Sequence, residues 1–235
     1  MNFLQRFFGI FFNPKDTFKA LSEKPLWRDT LIVLLLFVIL FQFVIAPYSQ
    51  QDNLQIMRNN VKMREQMGEQ QFNRMLDRIE NPSPTSVLIR TVVLNPLTLL
   101  IGFLLASLIL FGMSRMVSTE GKYMQVFSAY LHANLIEKIL GYSIRLLLTL
   151  VRKSFLQTTT SMALFFPRLE ITSPAFVVLS QIDFFQLWMF GVFGYALSSI
   201  FKISIKKALF ISFLFWLLKG AVYVAIGLIS LRYMT

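Results

Sequence analysis

The sequence has no cysteine and one histidine, and its 12 acidic residues face 23 basic ones. Without cysteine there is no disulfide, no thiolate metal site and no cysteine nucleophile, and the redox compartment stays unread. The lone His132 has no second histidine with which to build a metal or catalytic set. Also missing are an HExxH pair, a GxSxG elbow, a paired-aspartate signature and a phosphate-cradling glycine loop. Ser143, after Gly141 and Tyr142, comes nearest to a nucleophile, and a serine so placed more often bonds the preceding helical turn. Asp52, Asp77 and Glu80 read as solvated helix faces. No catalytic, cofactor-binding or metal-ligating residue is assigned, and an enzyme is not expected.

What the chain has instead is apolar length. Of its 235 residues 55% are hydrophobic, 25 of them phenylalanine, and mean hydropathy is +0.60. The apolar residues cluster in runs that reach the roughly 20 residues a helix needs to cross a bilayer. The fold class this implies is an all-α polytopic membrane protein. The net charge of +11 would point to nucleic acid in a soluble protein. Here lysine and arginine at helix ends, facing anionic headgroups, account for it, and no RNA- or DNA-reading motif competes. The bilayer is the expected partner and nucleic acid is not. The first apolar run lacks a small-residue cleavage site, so no cleavable signal peptide is expected.

Two short helices are predicted over residues 1–26, a cytoplasmic amphipathic segment. Phe3, Leu4, Phe7, Phe8 and Phe11 recur at helical spacing, and Asn13-Pro14 starts a second helix carrying Phe18 and Leu21. Two arrangements stay open: the phenylalanines lie in the interface among acyl chains, or the segment docks on the bundle as a flap. Residues 27–235 then form a five-helix membrane domain. Its spans cover Trp27 to Ala46, Ile89 to Met113, Val126 to Thr149, Phe184 to Phe201 and Leu209 to Leu231. Pro47 is expected to end the first span. Asn95-Pro96 should kink the second or reset its start, and Gly102 and Gly112 should permit close packing. Gly191, Gly194 and Ser198 give the fourth span a small-residue packing stripe.

The extramembrane loop 49–84 keeps a helical period through Leu54, Met57 and Val61, then Phe72, Met75, Leu76 and Ile79, broken around Gly68. It is expected to be helical and to pack on the protein or a partner. A second loop, Val151 to Gln181, contains "FFPRLEITSP" and is apolar enough at Ala163 to Phe166 to dip toward the interface. Basic residues in the short flanks (Arg6, Lys15, Lys19, Lys24 and Arg28; Arg115 and Lys122; Lys202, Lys206 and Lys207) place the N-terminus in the cytoplasm.

The third span is the polar one. Tyr130, Asn134, Lys138 and Tyr142 follow each other at four-residue intervals, with Glu137 beside them. A charge at mid-bilayer costs about 3 kcal/mol on insertion scales, so these groups should face protein or water. They either lock helices together or line a path for a proton, ion or headgroup. The structural role is preferred, because no second intramembrane acid completes a relay. Counting about 1.5 Å per residue puts Glu137 and Lys219 both roughly 16 Å deep. The third and fifth spans are therefore expected to touch there, with Glu137 and Lys219 paired directly or through one polar bridge such as Asn134. Lys138, about 100° away around the helix, is expected to be a poor partner for Glu137. Asp183 is the expected interface charge at the head of the fourth span.

From Ser180 to Leu218 the stretch "SQIDFFQLWMFGVFGYALSSIFKISIKKALFISFLFWLL" resembles the Yip1-domain family as found in bacteria. The likeness lies in an acid and aromatics opening the fourth span, an early tryptophan, small residues along the span and the lysine-rich "SIKKAL" turn. "FFNPKDTFKALSEKPLW" is similar to the family's lead-in, and "FSAYLHANLIEKILG" with "YSIR" sits where the family has its third span. The resemblance implies five helices and a cytoplasmic N-terminus; it does not imply an activity. Eukaryotic relatives are associated with vesicle trafficking and Rab GTPases, but no GTPase-contact motif is present. Some bacterial members look like accessory proteins beside ABC-type exporters. The function expected is thus a non-catalytic scaffold or accessory protein of the bacterial inner membrane. It would dock on a membrane-protein partner, either a transporter complex or a second copy of itself. The alternative is a small transporter or lipid-handling protein that uses the polar stripe.

Overall fold

The structure, a computed structural model, describes residues 1–156 and 159–234. Gln157 and Thr158, inside the second loop read from the sequence, and Thr235 lie outside the described residues. All regular elements among the described residues are helical, and one isolated antiparallel bridge joins Ser161 to Asp183.

The chain divides into two units. The first comprises residues 1–38, 96–143 and 184–219. It begins with α1 (Phe3–Phe12), whose start is fixed reciprocally: Asn2 accepts from the Gln5 amide while the Gln5 side chain accepts from the Asn2 amide, both at 2.9 Å. Pro14 then opens α2 (Pro14–Glu23) at the position where a missing N–H costs nothing. The two helices approach so closely that a Cβ at Gly9 would collide with the Thr17 hydroxyl. Ile10, Phe18 and Leu21 are fully buried while Leu4, Phe8 and Phe12 stay exposed. α1 and α2 are thus packed on the rest of the unit by one face.

The rest of this unit holds the start of α3 (Arg28–Arg58), α7 (Asn95–Arg115), α8 (Tyr123–Leu135), a π-helical turn (Ile136–Gly141), α11 (Phe184–Phe201) and the first half of α12 (Ile205–Met234). α11 packs on α2, α8 and the π turn, and α1 and α2 both pack on α8. The core between them is aromatic: Tyr130 meets Phe103 and Phe193 edge-on, at 6.1 and 5.6 Å between ring centroids. Gly194 lets α12 approach, since a Cβ there would stand 2.5 Å from Leu209 Cδ2. Gly102 and Gly112 do not serve that purpose within the chain, because a Cβ at either meets nothing within 4 Å. That corrects the packing role read for them: both sit on the face of α7 that carries exposed Ile101, Leu105 and Leu108.

The second unit comprises residues 39–95, 144–183 and 220–235. Pro47 does not end the first apolar helix. It lies inside α3, which runs on to Arg58, as helices in apolar surroundings tolerate when neighbouring groups resatisfy the freed carbonyl. Beyond it come α4 (Val61–Met67) and α5 (Glu69–Glu80), parted at Gly68, whose φ of +77° suits glycine. Phe72 is fully buried, so α5 packs on the protein, whereas Val61 is exposed, against its expected inward role. α6 (Pro84–Leu88) leads through a second π turn (Ile89–Leu94) into α7. The Asn95 amide bonds the Arg90 carbonyl, five residues back. This wider turn accommodates Pro96, which has no N–H to offer and needs room for its ring. α9 (Tyr142–Arg152), a 3₁₀ turn (Met162–Phe165) and α10 (Pro174–Ser180) complete the unit. Arg145 stacks 3.9 Å over the Phe155 ring, and Asp52 accepts the Phe155 and Leu156 amides at 2.6 and 2.8 Å.

Among the described residues, four helical stretches are long and apolar enough to cross a membrane: Arg28–Arg58, Pro84–Arg115, Phe184–Phe201 and Ile205–Arg232. The stretch from Tyr123 to Arg152 is also helical throughout, but Glu137, Lys138 and Arg145 keep it out of that apolar class.

Candidate functional site

Of the polar residues read from the sequence, Glu137, Lys138 and Tyr142 meet at the π turn. In the segment "IEKILG" the Tyr142 amide bonds back five residues to the Glu137 carbonyl, which widens the turn and re-aims side chains on both sides of it. Gly141 admits α11 here, for a Cβ would stand 3.0 Å from Phe185 Cγ. Glu137 and Lys138 are therefore enclosed, with side chains only 11% and 13% exposed.

Lys138 Nζ donates to Glu137 Oε1 at 2.6 Å and to the Tyr142 hydroxyl at 3.1 Å, lying 4.8 Å from that ring's centroid. The expectation that Lys138 is a poor partner for Glu137 is thus wrong. Adjacent residues on a regular helix diverge, but the turn here is not regular and the lysine stem is long. Burial settles the rest: an enclosed carboxylate takes whatever cation can reach it, because leaving it alone costs more than bending a flexible chain. Lys219 on α12 is close enough for its charge to act on Glu137. It donates to Gln186 Oε1 on α11 at 2.8 Å and sits 5.4 Å from the Phe190 centroid. Asn134, 2% exposed, turns its amide back to the Tyr130 carbonyl at 2.8 Å, and a polar group bonded to Lys219 is Gln186. The result is one acid with two cations, held by three helices. Asp183 bonds elsewhere, in its own unit: it bridges to Ser161 and accepts from the Thr160 hydroxyl.

A second network went unread in the sequence. Arg6 on α1, 3% exposed, donates Nε–H to His132 Nε2 at 3.1 Å. Its other nitrogens reach the Met1 carbonyl at 2.9 Å and the carboxylate of Asp29. Thr30 Oγ1 also lies 3.0 Å from His132 Nε2. A guanidinium only donates, so Nε2 must accept. The proton then sits on Nδ1, which bonds the Ser128 carbonyl at 2.8 Å. The available signal was an arginine on the apolar face of α1, one turn before buried Ile10.

Among the described residues, no three of His, Cys, Asp and Glu come together to hold a metal. Of the cavities among the described residues, two lie elsewhere. One, in the first unit, is bordered by Lys19, Lys122, Gln125 and Lys202. The other, in the second unit, is bordered by Asp52, Asn60, Arg152 and Phe176. Neither is lined by Glu137, Lys138 or Lys219.

The family model of the Yip1 domain matches residues 8–227. No curated protein and no solved structure matches the chain.

Proposed function

Because the chain belongs to the Yip1-domain family, a family not known as enzymatic, and is a multi-pass membrane protein, we propose that it is a non-catalytic scaffold or accessory protein of a bacterial inner membrane. In this reading it crosses five times, with Tyr123–Arg152 as the polar third span, and its N-terminus is cytoplasmic. It docks on a partner membrane complex, an ABC-type exporter being the candidate class, or on a second copy of itself.

The observation that supports this is internal satisfaction of the polar third span. Glu137 bonds Lys138, Asn134 bonds Tyr130, and His132 bonds Arg6 and Ser128. Groups that hold each other rigidify a bundle, whereas groups lining a path must be free to exchange partners. The exposed apolar face of α7 then remains for lipid or a partner.

The test is capture of the full-length chain from native membranes in mild detergent, followed by identification of what co-purifies. The expected result is one membrane complex, or a dimer, in stoichiometric amount. Recovery as a lone monomer would overturn the scaffold reading.

The π turn itself favours a second reading. Such turns recur at functional sites, and here one carries an acid between two cations, as a small transporter or lipid-handling protein would need. Solute or lipid movement by the purified chain in proteoliposomes, abolished by Glu137→Gln, would establish this reading over the first.

A further inference from the structure

The outer sides of α1 and α2 are of opposite kinds. Both helices bury one side, Arg6 and Ile10 on α1 and Thr17, Phe18 and Leu21 on α2. On α2 each exposed position is charged: Lys15, Asp16, Lys19 and Glu23. On α1 none is. Its exposed positions are Leu4, Gln5, Phe8 and Phe12. Leu4, Phe8 and Phe12, at 62%, 54% and 83% exposure, follow each other at four-residue intervals and form one row along the helix. The single charge of α1, Arg6, points the other way, to His132 and Asp29. Two helices of one unit therefore present their free sides to different media.

The contacts of α1 fix its level along the bundle. Phe11 meets Trp188 of α11 edge-on, at 5.9 Å between ring centroids. α11 has 18 residues, about 27 Å at 1.5 Å per residue, which barely covers a hydrocarbon core of ~30 Å. A helix that short has little length to leave outside the core, and Trp188 lies roughly 20 Å from its Phe201 end. Arg6 likewise reaches His132, roughly 13 Å into α8 from Tyr123. Through Phe11, the surface of α1 joins the side of α11 that exposes Phe184 and Trp188.

We propose that α1 is a lipid-facing helix, held to the bundle on its Arg6 side and set among acyl chains by Leu4, Phe8 and Phe12, with the charged side of α2 in water or headgroups. The bilayer is the occupant because the row continues the apolar side of a membrane-crossing helix and offers a protein partner no polar group to bond. Gln5, the polar residue beside the row, is tied to Asn2. Packing on the bundle and contact with acyl chains, the two arrangements open from the sequence, thus hold together. The inference rests on the five-span reading and not on the scaffold role.

The test uses the full-length chain, which has no cysteine, in phosphatidylcholine vesicles with one nitroxide-labelled cysteine at a time. Electron paramagnetic resonance compares relaxation by oxygen, which dissolves in hydrocarbon, with relaxation by a water-soluble nickel chelate. Leu4→Cys, Phe8→Cys and Phe12→Cys should respond to oxygen and lose the nickel response, as should Leu217→Cys on α12, a residue 57% exposed. Lys15→Cys and Lys19→Cys should keep the nickel response. All six positions are exposed, so the label displaces no packed side chain. A nickel response along the row equal to that at Lys19→Cys would overturn the proposal by placing α1 in water. Response to neither reagent would overturn it by placing a second copy of the chain over the row. A nickel response at Leu217→Cys would overturn the five-span reading and this inference with it, whereas failure at the row alone leaves that reading standing.

Discussion

Arg6 and His132, 126 residues apart, are joined by a 3.1 Å bond from the guanidinium to an imidazole nitrogen. Through it the first helix of the chain is latched to the polar helix in the interior of the first unit. The latch also closes on Asp29 and Thr30 at the head of α3, so three elements meet at one guanidinium.

Arg6→Met should therefore loosen α1 without disturbing the second unit. Removing one partner of a buried pair costs about 3–5 kcal/mol. Asp29 is 46% exposed, so water recovers part of that, and roughly 1–3 kcal/mol is expected. The measurement is thermal unfolding in detergent, with a double-mutant cycle against His132→Phe. Strictly additive losses would show that the two residues are not coupled.

At the π turn, Glu137→Gln should reduce folded yield by taking the acid away from two half-buried cations, Lys138 and Lys219. Adding Lys138→Met should restore more of it than adding Lys219→Met, since Lys138 holds the 2.6 Å bond while Lys219 also donates to Gln186. Fluorescence-detected size exclusion of the three variants ranks them. Equal rescue, or better rescue by Lys219→Met, would place the dominant pairing at Lys219.

How much of this could be read in advance follows from what each signal reports. Apolar runs and proline or glycine punctuation are local, and they located α1, α2, the break at Gly68 and the four apolar helices. Pro47 misled because a proline ends a helix in water more readily than inside an apolar bundle. Whether a glycine packs or faces outward depends on which side of the helix meets a neighbour, which spacing alone leaves open for Gly102 and Gly112. The polar cluster was found because charge in an apolar run is conspicuous, but its partners were misassigned because a π turn has no sequence signature. The Arg6 to His132 latch is longer-range still.

The glycines give a paired test of that packing. Gly194→Ala would push a methyl against Leu209, with Cδ2 at 2.5 Å and the Cα at 3.5 Å. The Cα is at ordinary contact distance, but Leu209 Cγ at 3.0 Å must give way as well as Cδ2, so a loss of about 1–3 kcal/mol is expected from overpacking. Gly112→Ala meets nothing within 4 Å and removes a glycine from a helix interior, which is worth about 0.5–1 kcal/mol in its favour. Thermal midpoints of the monomer should move in opposite directions. If Gly112→Ala is instead destabilising in native membranes only, that face of α7 is covered by a partner there.

Orientation can be tested with two single cysteines in a chain that has none. Ser204 is exposed in the turn between α11 and α12, beside Lys202, Lys206 and Lys207, and Asn73 is exposed on α5. Basic residues in short connections are retained in the cytoplasm, so Ser204→Cys should resist an impermeant thiol reagent in intact cells and Asn73→Cys should react. After permeabilisation both should label, which shows that each thiol is reachable and that protection came from the membrane. Asn60 would be a poor reporter, because at 5% exposure its silence would reflect burial rather than sidedness. Labelling of Ser204→Cys but not Asn73→Cys in intact cells would invert the chain. The Lys202–Lys207 turn would then face outward.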